Sequence, residues 1–551
     1  MRILILLALT LLAPWAAGEA QPARGELVQV LGLGPDRLGI LRARYDFWGR
    51  DPETGGAVFY LDAATSAWLE AQGLALRPDP RRQRQLDAWT RIDRSAWRQG
   101  SPGTIPGFAC YRTVTRTHAD LEALALAHPD RAEWRTIGQS WQASGGSVPG
   151  DDIHALVITR TGSPYPRAPL VVMAAQHARE LATAEIATRL AELILNNPDQ
   201  DPDLAWLADH REIHVIAQQN PDGRRQVEAG SSMWRKNYNE TACPGSTPGV
   251  DLNRNSPRFW GDFSSGNSCS ETYRGPVPAS EPETQAVQNY LDTVFVPQRP
   301  GGGLDDPAPP DAEGVFISLH SFGQMVLLPW EGLGGGNENN APNHDALSIL
   351  GRRFGYLTGY DVARWQLLGP AGGTMVDYAY GEFGVPAYTF EVGTSFFESC
   401  NDFENVVWPA VRDALIFAAK AARRPYLSPA GPEITALGAV STASGIRLTG
   451  RADDTRFHRG AVSEPPASDP VGAVVEIRVS LGAPEATGAQ TLTFTPLTTT
   501  SVADFDLMLP LSLSWPANGR LFVTAVDDQG QIGVPRVIGL ATPLFSDGFE
   551  S

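Results

Sequence analysis

Between residues 105 and 425 short apolar runs alternate with amphipathic helical stretches. Residues 170–175 form a continuous apolar run after Pro169, and a Leu- and Ala-rich helical stretch follows at 181–195. Residues 315–319 and 387–390 have the same unbroken apolar character, which predicts strands buried on both faces. Strands and helices alternating in this way define an α/β domain. Residues 301–310 and 332–343, rich in Gly, Pro and Asn, predict surface loops. Upstream, residues 27–31 and 57–61 predict strands, and 64–72 a helix closed by Gly73, together a small αβ module. Downstream of a linker at 425–432, strand-like alternation dominates, as at 474–479 and 521–526. Gly and Pro punctuate it and helical signals are few, which predicts an all-β sandwich.

Between module and α/β domain lies a basic run with Arg81, Arg82, Arg84, Arg91, Arg94 and Arg98. It reads either as a solvated linker or as a protease-sensitive hinge. The expected division is 1–20, 25–100, 105–425, 433–540 and a tail at 541–551, where Phe545 and Phe549 sit among acidic and small residues. The tail reads as a frayed terminus or a short sorting segment.

At 551 residues the chain is too long for one compact core. Its 44 basic against 62 acidic residues give a formal charge of −18, which argues against a nucleic-acid partner. Arg2, the apolar run 3–13 and the small residues at 16–20 predict an export signal too short to span a bilayer. No later segment predicts a span, so the mature chain is expected to be secreted, extracellular or periplasmic. Cys110, Cys243, Cys269 and Cys400 make an even count, which in an exported chain favours two disulfides. Spacing does not choose among the three pairings.

The candidate chemistry follows the buried strands. The first runs into Gln176-His177-Ala178-Arg179-Glu180, the next into His320-Ser321, and the third into Glu391. In open α/β sheets ligands bind at the carboxyl ends of strands. Two imidazoles and a carboxylate there suit Zn²⁺, whose catalytic sites keep three protein ligands and an open position. A second pair, His210 and His214, has helical ligand spacing, but 214–217 reads as strand, which argues against metal there. His118, His128, His154, His344 and His458 lack partners at ligand spacing.

Together with Asn220-Pro221-Asp222-Gly223, Trp234-Arg235-Lys236, Asp251-Leu252-Asn253-Arg254-Asn255, Cys269-Ser270-Glu271-Thr272-Tyr273 and Thr389-Phe390-Glu391, these residues resemble the zinc carboxypeptidase family of pancreatic A/B type over roughly 105–425. The resemblance implies a mixed, largely parallel sheet flanked by helices. It implies one Zn²⁺ held by His177, Glu180 and His320, with Asp251 orienting His177. It makes Glu391 the general base and Arg235 the cation facing the oxyanion. Asn253 and Arg254 would grip the terminal carboxylate of a peptide or protein substrate, and Arg179 would line the site beside the metal. It pairs Cys243 with Cys269, and with that Cys110 with Cys400. Residues 25–100 would correspond to a pro-segment that shields the cleft.

Two departures stand out. The tyrosine that the family carries eight residues before Asp377 is Gly369 here, and Phe322 stands where Tyr is common. A cell-wall peptide as substrate, and a catalytically silent, zinc-holding peptide binder, are therefore the alternatives to a protein carboxypeptidase. Retention of Glu391 favours an enzyme. For specificity, Val376 predicts an apolar pocket floor and preference for aromatic or large aliphatic C-terminal residues. Glu331 predicts a secondary tolerance for Arg or Lys.

Overall fold

The computed structural model describes residues 25–540 apart from 43, 52–53, 91–102, 163–166, 199, 232, 245–246, 333–339, 365–366, 458–469, 485–488 and 517–518. The expected export signal, Arg91, Arg94 and Arg98 of the basic run, His458 and the tail at 541–551 lie outside the described residues, as does most of the loop 332–343.

An eight-stranded mixed sheet organises the centre. Its order is Asp361–Ala363, Met325–Leu327, Ala387–Glu391, Val315–His320, Ala168–Met173, Arg211–Ile216, Asp152–Ile158 and Ala132–Gln139. The four inner strands from Ala387–Glu391 to Arg211–Ile216 run parallel. Their side chains are buried on both faces, which is why these strands read as unbroken apolar runs and not as alternation. Helices such as Leu181–Asn196 and Trp408–Ala421 cover them. The register sets His320 beside Glu391 on neighbouring strand ends. Cysteines 110 and 400 are disulfide-bonded across 290 residues, and Cys243 with Cys269 across 26. The first bond ties the entry strand Phe108–Arg112 to the start of the short helix Cys400–Asp402 that follows the Glu391 strand.

Upstream, the strands Asp46–Arg50, Ala57–Leu61, Glu26–Leu31 and Ala75–Pro78 form a four-stranded sheet in that order, with its own apolar core. Asp62 caps the helix Ala63–Ala71 by accepting from the Thr65 amide at 2.6 Å. The basic run departs from its solvated reading at its start. Pro80–Thr90 is a helix, and Arg82 on it is 1% exposed. Its guanidinium pairs with Asp51 at 2.8 Å and Asp79 at 2.6 Å, and lies 5.0 Å over the Phe322 ring. This double ion pair lies within the module, and from it Arg82 Nε donates across to Thr394 O of the central domain at 3.3 Å.

Downstream, Glu433–Thr442, Gly445–Asp453 and Val502–Pro510 form one antiparallel sheet. Gln490–Phe494, Val474–Leu481, Arg520–Asp527 and Arg536–Gly539 form the other. Alternate residues of the two, such as Leu448, Phe505, Ile477 and Val523, share one core. The sandwich rests on the central domain away from the strand ends, with Trp206 edge-on to Phe522 at 5.6 Å and Arg520 paired with Asp209 at 2.7 Å.

Candidate metal centre and active site

His177 follows the strand Ala168–Met173 and precedes the helix Leu181–Asn196, so strand end and helix start deliver His177 and Glu180 together. His320 ends the adjacent strand. His177 Nδ1 lies 2.7 Å from Glu180 Oε1 and 3.1 Å from His320 Nδ1, and His320 Nδ1 lies 3.2 Å from the other Glu180 oxygen. All three residues are at most 3% exposed. On the opposite edge of the ring, His177 Nε2 meets Asp251 Oδ1 at 3.0 Å. A carboxylate there requires Nε2–H, so the neutral ring turns the Nδ1 lone pair toward Glu180 and His320. Lone pairs of two imidazoles and a carboxylate converging in a buried space repel one another unless a cation stands among them. The donor set, two nitrogens and one carboxylate, fits Zn²⁺ with a position left open. Among the described residues this is the single His/Cys/Asp/Glu group of metal-binding geometry. His210 and His214 do not form another: His214 bonds Tyr290 Oη at 2.6 Å and Glu212 at 3.1 Å within the core.

Electrostatics match this placement. Burial would raise the Glu180 carboxyl, but the charges and hydrogen bonds of His177 and His320 hold it below the usual carboxylate range. Asp251 is likewise buried and held well below its ordinary value by Arg235 and His177. Arg235 grips Asp251 through Nη2 at 2.9 Å, and its Nη1 stands 3.3 Å from His177 Nδ1, so one guanidinium borders the ligand cluster. Glu391 sits across the cluster at its strand end. Burial pushes its carboxyl up to about 8, with His320 opposing the rise and Glu180 adding to it. Asp251 also accepts the Asn253 amide at 3.0 Å, starting the 3-10 turn Leu252–Arg254 that carries Asn253 and Arg254 to the same cavity.

Arg179 is fully buried, stacked 4.4 Å from the Phe396 ring. It reaches away from the ligands to the upstream module, donating to Phe47 O at 3.2 Å and pairing with Asp46 at 2.7 Å. Glu331 is 5% exposed and bonded by the Thr389 hydroxyl at 2.6 Å, and its backbone amide is held by Asp377. Val376 is buried on the helix Met375–Phe383. Neither Val376 nor Glu331 is among the residues that line the enclosed cavity.

That cavity is small, about 40 Å³, and the upstream module supplies part of its lining. Arg42, Asp46 and Phe47 form one wall, facing His177, Glu391 and Arg254. Arg42 donates to the carbonyls of Leu368 and, at 2.6 Å, Gly369; Arg50 donates to Leu367 O. Gly369 has φ +78, and a Cβ there would stand 3.0 Å from the Gly39 amide nitrogen. The position of the family tyrosine is thus backbone pressed on backbone. Sequence reasoning did not find Arg42 or Asp46, because nothing local to 35–50 marks a residue that acts across a domain contact. Glu271 also lines the cavity with one buried oxygen unbonded, and its motif was visible.

Comparison with known proteins agrees with this geometry. The family model described as zinc carboxypeptidase matches residues 117–406, more than half of the chain. A zinc carboxypeptidase of Simulium vittatum is 27% identical over 297 residues, covering 51% of this chain and 85% of that protein. Carboxypeptidase A1 of Rattus norvegicus is 27% identical over 299 residues, covering 52% of this chain and 63% of that protein. Among solved structures, the carboxypeptidase A of Helicoverpa armigera superposes with a TM-score of 0.58 at 20% identity, covering 73% of this chain and 98% of that one. Thrombin activatable fibrinolysis inhibitor superposes at 0.56 and 19% identity, covering 73% and 99%. The chain belongs to the zinc carboxypeptidase family and is a metallocarboxypeptidase.

Proposed function

We propose that the protein is exported and hydrolyses the C-terminal peptide bond of peptides or proteins, with His177, Glu180 and His320 holding one zinc ion. The observation that carries this reading is the convergence of those three donors beside Glu391 on the neighbouring strand end. A zinc ion held there supplies the Lewis acidity that activates water and polarises the scissile carbonyl. Glu391 takes the proton of the attacking water and returns it to the leaving amine. Arg235, fixed by Asp251, faces the oxygen on which charge develops. Asn253 and Arg254 hold the terminal carboxylate, for which the guanidinium fork is shaped. Arg179 lines the site from behind and anchors the module.

Residues 25–100 act as a pro-segment. The module closes the cavity that a substrate must enter, and the fold match to solved structures covers 73% of the chain, more than 105–425 alone accounts for. For the C-terminal side chain, Val376 supports an apolar floor, where burial contributes roughly 1.5–3 kcal/mol for a large side chain. Burial raises the Glu331 carboxyl, whose oxygen accepts from the Thr389 hydroxyl at 2.6 Å, and a cationic side chain would need that carboxylate as its partner. Blocked dipeptides ending in Phe or Arg, assayed on cut, zinc-loaded protein, test both levels. Glu391→Gln is expected to lower kcat by about 10²–10⁴ while zinc content stays at one per chain. Near-normal turnover in that variant would remove Glu391 from the mechanism. A higher kcat/KM for Arg than for Phe would assign the pocket to Glu331.

A further inference from the structure

Two irregular segments carry charged groups of the site: 234–239, with Arg235, and 250–255, with Asp251 and Arg254. Apart from the 3-10 turn Leu252–Arg254, neither has helix or strand to fix it. Their relative placement matters, because Asp251 of one segment aims Arg235 of the other. Besides that pair, the Asn237 amide donates to Val250 O at 3.0 Å, and the Val250 amide to Asn237 Oδ1 at 2.8 Å. A third element joins both segments, the start of the helix Pro282–Val294. Glu281 stands at its N-cap position, where a side chain normally accepts from its own helix. Among the described residues the Glu281 side chain makes no such bond. It is 1% exposed and turned to the loops instead. Oε2 accepts from Asn237 Nδ2 at 2.8 Å and Asn239 Nδ2 at 2.9 Å, and Oε1 from the Ser280 hydroxyl at 2.7 Å. The Glu281 amide donates to Asn255 Oδ1 at 3.1 Å, and Asn255 Nδ2 donates to Ser280 Oγ at 2.9 Å.

One residue thus grips the Arg235 segment through Asn237 and the Arg254 segment through Asn255. Glu283 supports it: its Oε2 accepts from the same Asn237 Nδ2 at 3.0 Å and its Oε1 from the Trp141 amide at 2.8 Å. Burial, with the charge of Glu281, pushes the Glu283 carboxyl up to about 8, so the two acids do not oppose each other at neutral pH. Asn237, Asn255 and Glu283 are fully buried, and bulk water cannot replace a bond lost there. The approach is close: a Cβ at Gly249 would stand 2.1 Å from Asn237 O, and one at Gly275 2.4 Å from Ser280 Oγ. Burying a carboxylate is costly unless its oxygens are well supplied with donors, and here the donors belong to loops whose spacing the site depends on. We infer that Glu281 is a positioning residue for the reaction. It clasps the two segments so that Arg235 and Arg254 face one substrate at a fixed separation. Glu281 lies outside the residues that line the cavity and acts through Asn237 and Asn255. The inference rests on the roles given above to Arg235 and Arg254.

The test compares fold-losses in the zinc-loaded form that turns over blocked dipeptides. Glu281→Gln keeps the volume and sets an NH₂ group against the two asparagine amides. It is expected to lower kcat/KM for a blocked Phe-terminated dipeptide about 10²-fold, the cost of misplacing catalytic groups by about 1 Å, with zinc still at one per chain. The same change in an Arg235→Ala background should cost at least about tenfold less, because with that cation gone there is no separation left to hold. Amide exchange on full-length protein, read by mass spectrometry, tests the clasp without turnover. Peptides covering 234–239 and 250–255 should exchange about tenfold or more faster in Glu281→Gln, while those of the inner strands stay unchanged. Wild-type kcat/KM in Glu281→Gln overturns the assignment. So does an equal fold-loss in both backgrounds, which marks a general structural role, and so does unchanged exchange in the two segments. If Glu281→Gln fails to fold, Ser280→Ala decides by the same ratios, since it removes only the hydroxyl between Glu281 and Asn255. Inactivity of the wild type on blocked dipeptides would sink the functional reading. The exchange ratios would still decide whether Glu281 holds the two segments together, so the two failures are separable.

Discussion

The two flanking regions meet the central domain at different places. The upstream module is joined over the strand ends by Arg82 on Thr394 O, Arg179 with Asp46, Arg42 and Arg50 on the 367–369 backbone, and Trp48 against the Phe396 ring at 4.9 Å. The downstream sandwich has an apolar core of its own, and Phe522 and Val537 on its outer side pack into the central core, remote from the site. Its junction centres on Arg353, fully buried, which donates to Pro429 O, Gly431 O and Arg456 O and lies 3.8 Å over Phe457.

The largest expected effect separates them directly. Tryptic cutting in the run 81–98 should raise activity on blocked peptides from near background to full, with the sandwich still attached. Undiminished activity of the intact chain, measured by mass and assay together, would break the comparison. Next, Arg353→Ala should destabilise the chain by about 3–5 kcal/mol in denaturant melts, because carbonyls and carboxylates built around one cation lose it. A shift below about 1 kcal/mol would show that the junction does not depend on that cation.

Acid should act on the module first. Burial would raise Asp51 and Asp79, but hydrogen bonds and the charge of Arg82 hold both below their ordinary value. A depressed carboxylate contributes stability above its unfolded pKa and loses it as pH falls through the folded one. The Arg82–Asp51–Asp79 cluster inside the module therefore weakens below about pH 4, and tryptic cutting within the module should accelerate there relative to unfolding of the whole chain. A pH-independent ratio would show that this cluster does not stabilise the module. The smallest effect belongs to the outer face of the sandwich. Arg447 and Asp506 form an exposed cross-strand pair, and Arg447→Ala should leave the melting temperature unchanged within error.

Much of the site was legible because its donors are local to strand ends. A buried parallel strand must be an apolar run, so the residue that breaks the run marks its carboxyl end, as His177, His320 and Glu391 do. Cys243–Cys269 and Cys110–Cys400 are the pairs that the resemblance implied. Arg82, by contrast, sits in a stretch whose composition reads as solvated, yet it is among the most buried arginines. Composition records charge and cannot record that Asp51 meets it from another element and that Thr394 O and the Phe322 ring cover it from the central domain. Gly369 illustrates the same limit: the missing tyrosine was visible, but its reason, the backbone of Gly39 against it, was not.

By itself, then, the sequence determined the order and type of the elements, the strand ends that carry the donors, and the chemistry those donors can perform, because periodicity and residue type are local properties of a chain. Only the tertiary structure decided which side chains share the cavity, that Arg42 and Asp46 from a separate module close it, and that Arg179 faces that module. These depend on distances between segments hundreds of residues apart, which are set by packing and by the pairing of buried charges and carry no local signature.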